Sequence, residues 1–299
     1  MRNTRRFVSS ALALICLSLV LHGQQLTLPL HSGSVRFAAF GDMGNGTTQQ
    51  YELAGRMNSL REKFPFDFVV MLGDNIYGGN TSTDFVRKFE MPYKSLLDHG
   101  VKFYASLGNH DNAVVEKAYK PFNMNGQQYY TYKKGNVQFF ALDSNYMDPK
   151  EVAWLTKELQ NSSADWKICY FHHPLYSSAA FHGSSLELRN ILEPLFVQNG
   201  VQVVLAGHDH VYERIKPQKG IYYFVAGSGG ELRKGDLKKT GLTEVGYDQD
   251  QVFLLVEISG DDLDFEAVSR IGKVVDSGSL HRNPKTNGAL VTERSSHAN

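Results

Sequence analysis

Residues 35–44 read VRFAAFGDMG and residues 68–77 read FVVMLGDNIY. Each begins as a short apolar run rich in β-branched and aromatic side chains, a composition and length that favour a buried strand over a helix. Each then breaks at Gly-Asp. The pattern recurs further along the chain. Val101–Leu107 runs into Gly108-Asn109-His110-Asp111, Ile168–Phe171 into His172-His173-Pro174, and Val201–Ala206 into Gly207-His208-Asp209-His210. In open α/β sheets ligands gather beyond the carboxyl ends of strands. Here successive strand ends deliver carboxylate, amide and imidazole groups to what would be one rim. Each glycine lets the backbone turn sharply, so that the next side chain points inward.

Helical periodicity fills the stretches between. Leu53, Met57, Leu60 and Phe64 fall on one helical face. Asp148-Pro149-Lys150-Glu151 supplies an N-cap, a proline at the first helical position and a capping acid, opening a helix through Trp154, Leu155 and Leu159. Leu186 to Phe196 is a third helix, which Pro194 is expected either to kink or to lie near the end of. Tyr129–Tyr132 and Val137–Leu142, joined through Lys134-Gly135-Asn136, read as a hairpin. After Gly220 the chain turns mostly to strand, with runs at Ile221–Val225, Val252–Ile258, Phe265–Val268 and Lys273–Val275. Strands alternating with helices and then followed by strands give a layered α/β fold around one or two mixed sheets. No repeat or linker divides the chain, so residues 33–282 are expected to form one domain. The tail, 283–299, is polar and aperiodic and is expected to be disordered.

The 299 residues carry 31 Lys+Arg against 31 Asp+Glu and are 42% hydrophobic. That balance excludes a disordered polyelectrolyte and gives no basic surface of the kind nucleic acids require. The first 23 residues stand apart. Arg2, Arg5 and Arg6 precede an apolar stretch from Phe7 to Leu21, the pattern of a secretory signal. An uncleaved anchor is the alternative, and Thr4-Arg5-Arg6-Phe7 is weakly like a twin-arginine signal. Cleavage after Gly23 would leave 28 basic against 31 acidic residues, a secreted or periplasmic protein and no membrane attachment. One cysteine, Cys169, would remain, without an internal disulfide partner. The fold must then stand on its core, or on metal.

Taken singly, each strand-end motif has a plain structural reading. Gly-Asp is ordinary turn chemistry, Asn-His can cap or turn, and His-x-His can be a surface pair. Either, both or neither of His172 and His173 could be a ligand. The joint pattern is more specific: Asp, then Asp with a following Tyr, then Asn-His, His and His-x-His, all at strand ends.

In that order the motifs resemble the calcineurin-like metallophosphoesterases, and Tyr77 brings them nearest to the small, single-domain purple acid phosphatases of the tartrate-resistant type. The resemblance runs from about Val35 to Gly230 and takes in Phe139–Ser144, Val152–Leu155 and Tyr223–Gly229. It implies a four-layer αββα sandwich of two mixed β-sheets flanked by helices. It further implies a trivalent iron held by Asp42, Asp74, Tyr77 and His210. A divalent iron, zinc or manganese would be held by Asp74, Asn109, His172 and His208, with Asp74 bridging. His172 is preferred to His173 because the family ligand stands two residues before the proline, here Pro174. The implied activity is hydrolysis of small phosphate monoesters by a metal-bound hydroxide, with diester or nucleotide cleavage as the alternative on the same rim. His110 and His182 match the family's outer histidines, which bind phosphate or protonate the leaving group. Met43 departs from the usual residue of the first motif. The short stretch from Asp143 to Pro149 leaves no room for the loop that represses the animal enzyme. Tyr104, Tyr146, Tyr176, Tyr212 and Phe181 are candidates for lining the cleft.

Overall fold

The computed structural model describes residues 26–283 and 291–294, so the signal read in residues 1–23 lies outside the described residues. In chain order the strands are β1 (Val35–Phe40), β2 (Phe68–Leu72), β3 (Lys102–Ser106), β4 (Tyr130–Lys134), β5 (Val137–Ala141), β6 (Trp166–Phe171), β7 (Val203–Ala206), β8 (Tyr212–Ile215), β9 (Tyr222–Ala226), β10 (Thr243–Tyr247), β11 (Val252–Ser259), β12 (Asp262–Ser269), β13 (Val274–Arg282) and β14 (Val291–Arg294). The α-helices are α1 (Thr48–Arg61), α2 (Ser82–Phe85), α3 (Lys94–Asp98), α4 (Ala113–Glu116), α5 (Pro149–Gln160) and α6 (Leu186–Gln198). Among the described residues no helix is long and apolar enough to cross a membrane.

Two seven-stranded sheets result, in the orders β14-β13-β12-β11-β1-β2-β3 and β10-β8-β9-β7-β6-β5-β4. Within the first, β1, β2 and β3 run parallel; within the second, β5, β6, β7 and β9 do. Antiparallel strands extend both sheets outward. Strand alternation sorts the side chains into layers. Phe37, Phe68, Phe139, Tyr170, Leu205 and Phe224 face the space between the sheets. Their neighbours Ala38, Val69 and Met71 face outward onto α1 and the short helices. Phe140, Cys169, Phe171 and Val204 face outward onto α5 and α6. This is the αββα sandwich that the resemblance implied. Each large apolar side chain so buried contributes about 1.5–3 kcal/mol, and Phe37 meets Phe139 edge-on at 5.3 Å across the interface.

Polar contacts also join the sheets. Trp166 of β6 donates its indole N–H to Gly260 O, in the turn between β11 and β12, at 2.9 Å. Arg214 of β8 and Asp276 of β13 form a buried pair at 2.8 Å, to which the Tyr212 hydroxyl donates at 2.8 Å.

Several expectations are corrected by packing. Phe64 lies beyond the end of α1, yet is buried in the same cluster as Leu53 and Met57. Pro194 lies inside α6, in its C-terminal part, and faces solvent while buried Leu192 and Phe196 hold the helix through to Gln198. Glu151 does not cap α5. Asp148 does so alone, and Glu151 Oε1 accepts instead from Asp143 N–H at 2.8 Å. The run expected at Lys273–Val275 is the start of a nine-residue strand. β14 pairs antiparallel with the outer edge of β13.

Candidate metal centre

The carboxyl ends of β1, β2 and β3 meet those of β6 and β7 at one end of the sandwich. Asp42, Asp74 and His208, each directly after a strand and a glycine, have φ of 57°, 51° and 70°. Non-glycine residues avoid this left-handed region at a cost of roughly 1–2 kcal/mol each, and such strain collects at functional sites. Loop hydrogen bonds hold it in place. Asp42 N–H donates to Gly73 O at 2.9 Å, His208 N–H to Asp42 Oδ2 at 2.8 Å, and His110 N–H to Asp74 Oδ1 at 2.9 Å. Two glycines are needed for room as well as for turning. A Cβ on Gly73 would lie 2.6 Å from His172 Nδ1, and one on Gly108 would lie 2.2 Å from Asp74 Oδ1.

Two groups of donors converge there. Asp42, Asp74 and His210 bring one ligand atom each to within 4.8 Å of one another. The Tyr77 hydroxyl joins them, 3.2 Å from Asp42 Oδ1 and 3.3 Å from His210 Nε2. In the second group, His172, His173 and His208 likewise lie within 4.8 Å. His172 Nε2 is 3.0 Å from Asn109 Oδ1, 3.1 Å from His208 Nδ1 and 3.5 Å from Asp74 Oδ1. Asp74 therefore stands between the two groups. All seven ligand positions read from the sequence come together here, and His173 stands beside them, its Nδ1 2.9 Å from Ser144 Oγ.

The chemistry of these donors fits cations. His172 Nδ1 lies 2.9 Å from Leu72 O, an atom that can only accept, so the ring proton belongs on Nδ1. Burial holds the His172 pKa well below the usual value, which keeps the Nε2 lone pair free and aimed at other acceptors. His208 is pushed down to about 2, first by burial and then by His172. Burial raises Asp42 to about 7, against the His210 hydrogen bond that opposes it. Burial, with the Asp42 carboxylate next, raises the Tyr77 phenol far above its ordinary value. A phenol so raised ionises only opposite strong positive charge, and nearby cations would likewise favour the Asp42 carboxylate. Two carboxylates, a phenol and an imidazole suit a hard trivalent ion, while imidazoles and an amide suit a borderline divalent one.

Supporting residues hold this arrangement. Lys88, a buried side chain on the π-helical turn Val86–Glu90, donates to Tyr77 O and to Asp84 Oδ1. Asp111 accepts from the backbone N–H of Gly108, Asn75 and Ile76, and from Asn75 Nδ2, which ties the loop after β2 to that after β3. Asp209, between the paired histidines, accepts from Gly183 N–H at 3.3 Å and so anchors the loop that carries His182. His110 and His182 lie at the exposed rim. The His110 ring is 4.9 Å from Tyr77, and the His182 ring 4.0 Å from His208. Of the candidate lining aromatics, Phe181 is beside the site, 4.5 Å from His182. Tyr104 stacks on Tyr132, Tyr176 donates to Glu193, Tyr212 belongs to the Asp276 contact and Tyr146 is 80% exposed. Sequence reading missed Lys88, Asp209 and Arg233. For Asp209 the signal was present, an acid between two candidate ligands.

Strand ends that present two adjoining donor sets around a shared aspartate define a binuclear metal centre. Residues 35–212 match the family model described as calcineurin-like phosphoesterase, and the chain belongs to that family. It is 26% identical to purple acid phosphatase 4 of Arabidopsis thaliana, over 85% of this chain and 84% of that protein. Tartrate-resistant acid phosphatase type 5 of Mus musculus is 27% identical, over 92% and 97% of the two chains. Among solved structures, the purple acid phosphatase PPD1 from yellow lupin (Lupinus luteus) seeds shares the fold with a TM-score of 0.71, at 18% identity over 90% of this chain and 58% of that one.

Proposed function

We propose that the protein is an exported acid phosphatase that hydrolyses small phosphate monoesters at a centre of iron and a divalent metal ion. One observation carries this reading: a carboxylate- and phenol-rich donor set adjoins an imidazole-rich one, with Asp74 between them. The similarity to purple and tartrate-resistant acid phosphatases supports it. When bound, such a metal pair activates water and polarises phosphoryl oxygens for in-line displacement.

The chain's own residues account for the rest. Leu72 O fixes the His172 tautomer, and Lys88 fixes the main chain at Tyr77. His110 and His182, outside both donor sets, hold the phosphoryl oxygens and give a proton to the departing alkoxide. Burial, and Arg233 after it, lower the His182 pKa, so its protonated form accumulates only in acid. Export is read from Arg2, Arg5, Arg6 and the Phe7–Leu21 stretch.

The test is reconstitution of metal-free protein with iron and zinc, followed by assay of an aryl monoester and an aryl diester. Monoester turnover should appear with about two ions bound, vanish on chelation and return on re-addition. Two bound ions without turnover would overturn the reading, and a faster diester reaction would replace it with a phosphodiesterase. Mass spectrometry of the exported protein should find a start near Gln24; an intact Met1 would refute cleavage.

A further inference from the structure

Arg233 occupies an unusual place for a cation. Its guanidinium carbon lies 3.4 Å from the centre of the Phe181 ring, close enough to stack flat on it. Its Nε–H donates to His210 Nδ1 at a long 3.4 Å. The residue is half-buried, yet among the described residues it makes no ion pair, and no acceptor meets its two terminal amino groups. Arginines held in a fixed orientation without a carboxylate are well suited to bind an oxyanion in a fork. The main chain holds this one as well, since Arg233 N–H donates to His210 O at 3.0 Å.

Its position selects which part of a substrate it meets. His210 turns Nε2 toward Asp42 and Tyr77 and Nδ1 toward Arg233, so the imidazole separates the guanidinium from the donor set. Outward from the site, His208, His182, Phe181 and Arg233 form a continuous line of contacts, edge-on between His182 and Phe181, with successive separations of 4.0, 4.5 and 3.4 Å. Arg233 thus stands on the side of His182, the residue to which the proposed function assigns the departing alcohol, and behind His210 rather than within either donor set. Phe181 is 62% exposed, but the guanidinium covers a face, so this wall offers charge more than apolar surface.

We infer that Arg233, held by Phe181, is a specificity residue that binds a second anionic group on the alcohol part of the substrate, favouring phosphate esters of hydroxy acids or of already phosphorylated alcohols. The inference rests on the phosphomonoesterase reading, and its test separates the two. Metal-loaded wild type, Arg233→Gln and Arg233→Lys would be assayed on phosphoglycerate and on glycerol phosphate, which differ by a carboxylate in the leaving group. Wild type should prefer phosphoglycerate. Arg233→Gln should lose about 10- to 100-fold in kcat/KM on phosphoglycerate, the worth of a charge-assisted hydrogen bond, mostly through KM. Its loss on glycerol phosphate should be several-fold smaller, and Arg233→Lys should recover part of the preference. Metal content is measured for each variant, because Arg233 touches His210. Equal losses on the two esters, or no loss on either, with metals retained, would overturn the inference while leaving the phosphatase reading intact. Failure of the loaded wild type to hydrolyse either ester would overturn the phosphatase reading itself.

Discussion

Gly73→Ala tests whether the site depends on close approach of backbone and ligand, and Gly260→Ala is its control. Both glycines have positive φ, +85° at Gly73 and +58° at Gly260. An alanine in this region costs roughly 1–2 kcal/mol whatever surrounds it. At Gly260 nothing lies within 4 Å of the added Cβ, so that is the whole expected loss. At Gly73 the Cβ would stand 2.6 Å from His172 Nδ1 and 2.8 Å from Gly108 N. His172 cannot yield cheaply, because it is fully buried and bound to Leu72 O. Overpacking of this kind adds about 1–3 kcal/mol, which gives roughly 2–5 kcal/mol for Gly73→Ala. Urea denaturation of the metal-free proteins measures both losses on one scale, and metal analysis after reconstitution reports the site. Gly73→Ala should fall well below Gly260→Ala in stability and should lose the ion held by His172. Equal losses in the two variants, with full metal content, would refute the reasoning.

Three further outcomes are expected. Tyr77→Phe should abolish the visible charge-transfer band of the iron-loaded protein while keeping the fold; an undiminished band would remove the phenolate from the metal. His172→Ala should lose one ion and most activity, whereas His173→Ala should keep both ions and lose less, and the reverse pattern would shift the ligand register by one residue. Glu151, raised by burial to about 8, keeps its proton in the folded state over a range where the unfolded chain has released it. Stability of the metal-free protein should therefore fall as pH rises from about 4.5 to about 8, by at most about 1.4 kcal/mol per pH unit from this group. Glu151→Gln keeps the acceptor for Asp143 N–H and removes the titration. Its denaturation midpoint should fall less steeply with pH than that of wild type, and identical slopes would exclude Glu151 as a source.

The sequence made the site more legible than the periphery, for a physical reason. Parallel strands buried on both faces must be continuous apolar runs, and their turns must carry the residues that do chemistry. Val35–Phe40 and Phe68–Leu72 therefore announce both a strand and a ligand. Elements with mixed faces are harder to see. Thr243–Tyr247 is only partly buried, and Val274–Arg282 shows the core little besides Asp276 and Leu280, so neither has a clear apolar signature. Tyr212–Ile215 hides two buried charges, Glu213 and Arg214, whose partners lie far away in sequence. Arg233 was invisible for the same reason. Only the fold brings it over Phe181 and behind His210.

The indole of Trp166 has a consequence for observing the molecule. The sequence holds two tryptophans, and both belong to the same half of the sandwich. Trp154 lies on α5 beside Tyr129, at 4.9 Å between rings. Trp166 instead reaches across to the opposite sheet through Gly260 O. In a Trp154→Phe background, intrinsic fluorescence would come from one buried ring whose hydrogen-bond partner lies in the other layer. Its emission would then report separation of the sheets, and fraying of the outer helices would pass unseen.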